Sequence, residues 1–296
     1  MSRHVSDRKW AAVLMGPGVI LTLLFIVTPF VLSIFLSFTN QRLVPNLNIP
    51  TEFIGFRNYE RVLGRPDFWN AFGNTGLFVA LIVPIQGAIA LGVAMLINSK
   101  LPMRNLFRGV FFIPTVMTMV VVSVIWAVLF RIDGFFNQFL DLLSFGMLGP
   151  VDWLTNEMTA MGSLILLSAW QGFPFQMVIY LAGLQAINPE LYEAAKVEGS
   201  TSWQTFRHVT FPSLRNTHVF IVIATTILGF KLFTQVNLLT QGGPQGVTET
   251  VVQLIYQNGF QQGKVGFASA LSVVFFLTVL LISIAQRYFL TNEETK

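Results

Sequence analysis

Val19-Ile20-Leu21-Thr22-Leu23-Leu24-Phe25-Ile26-Val27-Thr28-Pro29-Phe30-Val31-Leu32 lies inside a stretch, residues 10–41, that holds no charged side chain. A secretory leader has an apolar segment of about 7 to 15 residues that ends at a small-residue cleavage step. This stretch runs on through Pro29-Phe30 without an Ala-x-Ala step, so Arg3, Arg8 and Lys9 ahead of it predict an uncleaved membrane span over 10–38 with a cytoplasmic N-terminus, 1–9. Four more charge-free stretches follow, at 68–99, 109–130, 158–189 and 265–286. Each reaches the length of about 20 residues that crosses a bilayer. A sixth, 216–239, is apolar except for Lys231.

Composition agrees with that count. The 296 residues are 53% hydrophobic and 11% charged, against roughly 25% charged in a soluble domain. A soluble enzyme, a disordered chain and a nucleic-acid binder are excluded. The pI of 9.6 and net charge of +4 reflect basic residues between the spans, where they set orientation. With six crossings, the N-terminal side holds Arg3, Arg8, Lys9, Lys100, Arg104, Arg108, Lys196, Arg207, Arg215, Arg287 and Lys296, and the other side Arg42, Arg57, Arg61, Arg65, Arg131 and Lys264. The excess predicts that both termini are cytoplasmic, and the first outer loop, 39–70, fits that rule least well. Cysteine is absent, which excludes disulfides and thiolate chemistry and leaves the redox compartment unread.

Between the spans the loops divide into two kinds. Asn58 to Gly64 reads as a short amphipathic surface helix with a glycine stop. Asp133, Asp141, Asp152 and Glu157 lack histidines at metal spacing and read as solvated loop carboxylates, while Gly242-Gly243-Pro244 is a turn signal that also suits a gate hinge. The cytoplasmic segment 188–215 is different. Asn188 is placed to cap a helix with Pro189 in its first turn, Gly199 to stop it, and Thr201 with Gln204 to form a capping box for a second short helix. Two short helices carrying Glu193, Lys196, Glu198 and Arg207 cannot span a membrane, so they form either a membrane-surface hairpin or a docking element.

Glu193-Ala194-Ala195, then Gly199, then Val209-Thr210-Phe211-Pro212 resembles the EAA motif of the integral-membrane subunits of ABC importers. Five identities at about one in fifteen each would coincide by chance roughly once in a million start positions. Gly55-Phe56-Arg57-Asn58-Tyr59, Asn74-Thr75, Phe111-Phe112-Ile113-Pro114 and Leu239 to Pro244 are similar to the sugar-importing branch, and the Gly-Gly-Pro loop with Arg287-Tyr288-Phe289-Leu290 is similar to its maltose, lactose and glycerol-phosphate type of first permease subunit. The resemblance implies an all-α membrane protein with the type I ABC importer permease fold. In it, an extra first helix precedes a core over 71–290 with helices at about 71–97, 109–130, 159–187, 216–239 and 265–289, the coupling hairpin at 188–215 and a cytoplasmic tail at 291–296. It also implies the cytoplasmic (inner) membrane of a prokaryote, a second homologous permease, an ATPase dimer and an extracytoplasmic solute-binding protein.

The chain lacks the Gly-x-x-x-x-Gly-Lys-[Ser/Thr] phosphate loop: its one Gly-Lys pair, Gly263-Lys264, is followed by Val265. No cofactor is therefore expected on this chain, and ATP with Mg is expected in the partner ATPase. By resemblance, Glu193 faces a basic residue of the ATPase, Ala194 and Ala195 permit close approach to its groove, Gly199 permits the turn, and Phe206, Val209, Phe211 and Pro212 complete the coupling element. Resemblance to the maltose type likewise implies a solute path at Gln171, Gly172, Phe175, Thr225, Leu228, Gly229 and Leu232, with Gly229 and Leu232 standing where the maltose type has polar amides. Lys231 either lines that path or pairs structurally with a helix-end carbonyl or a partner subunit. A secondary transporter is the rival mechanism, and it would need intramembrane Asp, Glu or His; the spans hold none beyond His218, which stands at the start of 216–239 just past the cytoplasmic hairpin. A polyol or glycerol phosphate is the rival solute.

Overall fold

The computed structural model describes residues 3–44, 50–99, 104–147 and 149–291. Of the tail expected at 291–296 only Thr291 falls within them. Among the described residues there is no β-strand, only one isolated antiparallel bridge, Thr39 to Phe53. Helices α1 (Arg3–Thr22) and α2 (Thr28–Ser37) are joined by a wider helical turn at Leu23–Val27. Pro29 has no N–H to return to the preceding turn, and Thr28 instead bonds the Leu23 carbonyl through both its amide and its hydroxyl, the latter at 2.9 Å. There follow α3 (Arg57–Leu63), α4 (Pro66–Asn98), α5 (Arg104–Val116), α6 (Met119–Leu129), α7 (Phe135–Ser144) and α8 (Ala160–Gln185). The remaining helices are α9 (Pro189–Val197), α10 (Ser202–Thr205), α11 (Phe211–Ser213), α12 (Arg215–Phe230), α13 (Val251–Tyr256) and α14 (Val265–Thr291).

Among the described residues, four helices are long and apolar enough to cross a membrane, Val13–Ser37, Pro66–Asn98, Ala160–Gln185 and Val265–Leu290, and two bent pairs raise the number to as many as six. The bend between α5 and α6 corrects the reading of 109–130 as a single helix, and the end of α12 at Phe230 corrects that of 216–239, while the second bent pair, Ser202–Ser213 with Arg215–Phe230 at 66°, joins the end of the 188–215 segment to α12. Helices α5 and α6 meet at 96°. Thr118 has extended backbone there and its hydroxyl caps the Val121 amide, so a new helix starts just after Pro114 has weakened the old one. The apolar run at 216–239 stops being helical after Phe230, and a separate wide turn occupies Val236–Thr240. Carbonyls freed in a membrane need internal partners, and the Thr250 hydroxyl supplies one to Leu232 at 3.0 Å.

The described chain falls into two compact units, Met1–Phe68 with Leu254–Leu277 and Trp69–Gln253 with Thr278–Lys296. In the first, Val13–Ser37 buries none of its most apolar window, as a helix wrapped by lipid does. Its end is pinned: buried Asn58 donates to the Ser37 and Thr39 carbonyls at 2.9 and 2.8 Å, and Tyr59 bonds the Ser37 hydroxyl at 2.6 Å. The motif Gly55 to Tyr59 is thus a clasp on α2.

The second unit is centred on α8, which buries 61% of its window. Ala90, Ala94 and Ile97 of α4 pack with Phe173, Met177 and Leu184 of α8, Leu214, and Ile221 of α12. Lipid removes the hydrophobic drive between helices, so contact rests on close packing and small residues. Gly183 is one such residue: a β-carbon would lie 2.7 Å from the Thr217 hydroxyl and 2.9 Å from Leu214. A second cluster gathers Val122, Trp126, Phe130 and Leu167 with Phe136 and Trp153. Asn137 organises the loop above it, donating to the Val151 carbonyl at 2.9 Å and accepting from the Val151 amide and the Trp153 indole at 2.9 and 3.1 Å.

Candidate functional site

The α9 to α11 hairpin is built by its capping residues. The Asn188 side chain accepts from the Glu190 amide at 3.1 Å, Pro189 opens α9, and Gly199 ends it with φ +74°. Only a residue without a β-carbon adopts that angle at no cost. Thr201 and Gln204 exchange bonds of 2.8 and 3.3 Å in a capping box. The Tyr192 hydroxyl bonds Thr210 at 3.2 Å, and Tyr192 and Phe206 pack on the core cluster of the second unit. The hairpin is therefore fixed to the core rather than hanging from it.

Its outer face is open. Glu193, Ala194, Gly199, Phe211 and Pro212 are exposed, together with Leu191, Val197 and Trp203. Glu193 has no ion pair among the described residues. The two alanines differ in exposure: Ala195 is only 6% exposed, covered within the chain, while Ala194 is exposed. A cleft of about 380 Å³ between the arms is lined by Ala194, Ala195, Val209 and Gln204, among others.

All eight residues expected along the solute path, Gln171, Gly172, Phe175, Thr225, Leu228, Gly229, Lys231 and Leu232, line one cavity of about 330 Å³ in the second unit. That volume lies at the lower end of small-molecule sites. Lys231, read as lying inside a continuous span, stands at the C-terminal break of α12, exposed on the cavity wall. Phe175 is a wall residue, whereas Trp170 packs on Trp126 at 5.5 Å.

The cavity also contains residues that the sequence reading missed. Gln86 donates to the Ser168 carbonyl at 2.9 Å; Gln176 donates to Gln86 Oε1 at 2.6 Å and to the Thr225 hydroxyl at 2.7 Å; Gln235 donates to the Ser168 hydroxyl at 3.0 Å. Gly172 makes room for this chain of amides, since a β-carbon there would overlap the Gln86 amide nitrogen. Gln176 is 3% exposed and its Oε1 has no hydrogen-bond partner among the described residues, so the network ends in a buried acceptor behind the cavity wall. Such an atom is costly unless something donates to it. Glutamines within otherwise apolar runs were the available signal.

The loop motifs are physically joined. The Asn74 amide donates to the Gly246 and Glu249 carbonyls at 2.7 and 3.1 Å, and the Thr75 hydroxyl accepts from the Val251 amide at 3.2 Å, closing the turn that begins at Gly242 with φ +91°. Two of the four loop carboxylates serve local structure: the Arg131 guanidinium bonds Asp133 at 2.9 Å and holds its carboxyl below the usual range, and Thr155 does the same for Asp152. No group of metal-binding side chains occurs among the described residues.

Residues 86–291 match the family described as binding-protein-dependent transport system inner membrane component. The chain is 31% identical over 287 residues to the probable starch degradation products transport system permease protein AmyD of Thermoanaerobacterium thermosulfurigenes, covering 97% of this chain and 96% of that one. It is 34% identical over 293 residues to the lactose transport system permease protein LacF of Rhizobium radiobacter, covering 97% and 95%. Among solved structures, a bacterial ABC transporter that imports the acidic polysaccharide alginate contains a chain similar in fold, with a TM-score of 0.80 at 23% identity over 98% of both chains.

Proposed function

The chain belongs to the family of binding-protein-dependent transport system inner membrane components, and from that premise we propose that it forms half of the translocation pathway of an ATP-driven importer of oligosaccharides. The observation that carries the reading is the pair of features built on one core: a clasped hairpin with an open acidic and apolar face, and a cavity walled by a hydrogen-bonded chain of amides. The hairpin docks on an ATPase dimer, which hydrolyses ATP with Mg, and the cavity passes solute delivered by an extracytoplasmic solute-binding protein. A second homologous permease supplies the other half. The chain makes six crossings, the bent α5–α6 pair counting as one and α12 with the segment up to Thr240 as another, with both termini in the cytoplasm and the whole in the inner membrane of a prokaryote. The excess of Lys and Arg on the N-terminal side supports that orientation. The solute class rests on the starch-product and lactose relatives.

Reconstitution tests the mechanism. Vesicles carrying the two permeases take up labelled oligosaccharide only when the ATPase, ATP and the loaded solute-binding protein are added; uptake by the permeases alone would mark a secondary carrier. Gln176 tests the cavity. Replacing it by Leu removes the donor that holds Gln86 and Thr225 in the cavity wall, and the solute concentration for half-maximal uptake rises about fivefold, the worth of one hydrogen bond of about 1 kcal/mol. An unchanged saturation curve would remove Gln176 from the path.

A further inference from the structure

The first unit contains a second cavity, of about 500 Å³, lined by Arg42, Arg61, Arg65 and Lys264 with Asn58 and Phe267. No carboxylate lines it among the described residues. Arg65 is engaged by Asp67 and lies 5.3 Å over the Phe267 ring, whereas Arg42, Arg61 and Lys264 are exposed and have no carboxylate partner among the described residues. These are four of the six cations on the side of the membrane that the charge rule leaves poor in them. Most of the exceptions to that rule are thus gathered in one concavity.

The backbone fixes them there. The Leu43 amide donates to the Gly263 carbonyl at 2.8 Å and the Gly266 amide to the Gln41 carbonyl at 2.9 Å, holding the Arg42 segment beside the start of α14. Asn58, one helical turn before Arg61, is bonded to the end of α2. Arg42 thus lies just past the apolar span Val13–Ser37, and Lys264 just before the span Val265–Leu290. That is headgroup depth, and the exposed apolar side chains Leu43, Val44, Phe53 and Phe56 in the same unit suit the membrane interface.

We propose that this cavity binds the phosphate headgroup of an anionic phospholipid, with Arg42, Arg61 and Lys264 as the phosphate donors and Arg65 held in reserve by Asp67. Guanidinium forks match phosphate oxygens in geometry and charge. A concave site at the ends of two apolar helices favours a lipid over the flat face of a docking protein. The inference goes beyond transport and needs only membrane insertion; the leaflet alone follows from the proposed orientation.

Native mass spectrometry of the full-length chain, titrated with phosphatidylglycerol and with phosphatidylcholine, tests it. One phosphatidylglycerol is retained preferentially. R42Q or R61Q weakens that retention about fivefold each and R42Q/R61Q about 25-fold, at about 1 kcal/mol per basic residue, while phosphatidylcholine binding is unchanged. R42K/R61K keeps most of the preference, and R131Q, which removes a cation outside the cavity, has no effect. Equal retention of the two lipids would overturn the proposal, as would an equal loss in R131Q. Displacement of phosphatidylglycerol by millimolar inorganic phosphate would make the site one for soluble anions. Unchanged lipid retention in R42Q/R61Q with weakened capture of the solute-binding protein would make it a protein-docking site.

Discussion

Glu193→Lys is expected to reduce ATP-driven uptake to background while the chain inserts and accumulates as the wild type does. Glu193 is exposed on α9 and has no ion pair among the described residues. The hairpin keeps its shape through other atoms: the Asn188 and Thr201 caps, the Tyr192 to Thr210 bond and buried Ala195 and Leu214. A surface substitution away from such features costs about 0.5 kcal/mol or less. At the proposed ATPase interface the same change is severe, because it removes an attractive pair and places like charges face to face. Breaking a charge pair in an interface costs about 2 to 5 kcal/mol, which is a loss of about 30- to 4,000-fold in affinity at 1.4 kcal/mol per decade. Uptake and solute-stimulated ATP hydrolysis in proteoliposomes, with co-purification of the ATPase, are the measurements. Uptake at the wild-type rate with equal membrane abundance would separate Glu193 from coupling.

What could be read in the sequence divides by the range of the interaction. The hairpin was legible because its determinants lie within four residues of one another: Asn188 with Glu190, Thr201 with Gln204, and Gly199 at a positive φ. The charge-free runs were legible as apolar, yet hydropathy carries no direction, so the 96° turn between α5 and α6 and the end of α12 at Phe230 did not show. Pro114, Thr118 and Gly229 were the local traces of those breaks. Ala195 shows the same limit: its small size is legible in the sequence, and its burial is not. The cavity residues came through resemblance, and the amides that connect them were passed over as neutral. Gln86 and Gln176 are 90 residues apart and bond at 2.6 Å. In a membrane-embedded helix an amide needs a partner, so a search for glutamines in charge-free runs would have found both ends.

Gly266→Ala is the substitution expected to damage the fold most. Gly266, at the second position of α14, touches the end of the α2 segment so closely that a β-carbon would overlap the Thr39 carbonyl oxygen and lie 2.9 Å from its carbon and 3.1 Å from the Leu36 oxygen. These are backbone atoms, so no rotamer change relieves the overlap. Thr39 is held by Asn58, and the Gly266 amide is itself bonded to Gln41, so moving either strand of the contact breaks a hydrogen bond in a clasp that also shapes the cationic cavity. Overpacking a tight contact costs about 1 to 3 kcal/mol, occasionally more, and a loss of about 1 to 2 kcal/mol already changes abundance several-fold in cells. Gly92→Ala is the control, because its β-carbon meets no atom within 4 Å and lies inside α4, where Ala is the better helix former. Membrane abundance and thermal unfolding of the purified chain should fall for Gly266→Ala and hold or rise for Gly92→Ala. Equal stability of the two variants would mean that α2 and α14 do not meet through Gly266. Gly266→Ala should also lose phosphatidylglycerol preference together with stability, whereas R42Q/R61Q loses the preference alone; that contrast separates the clasp that builds the site from the charges that use it.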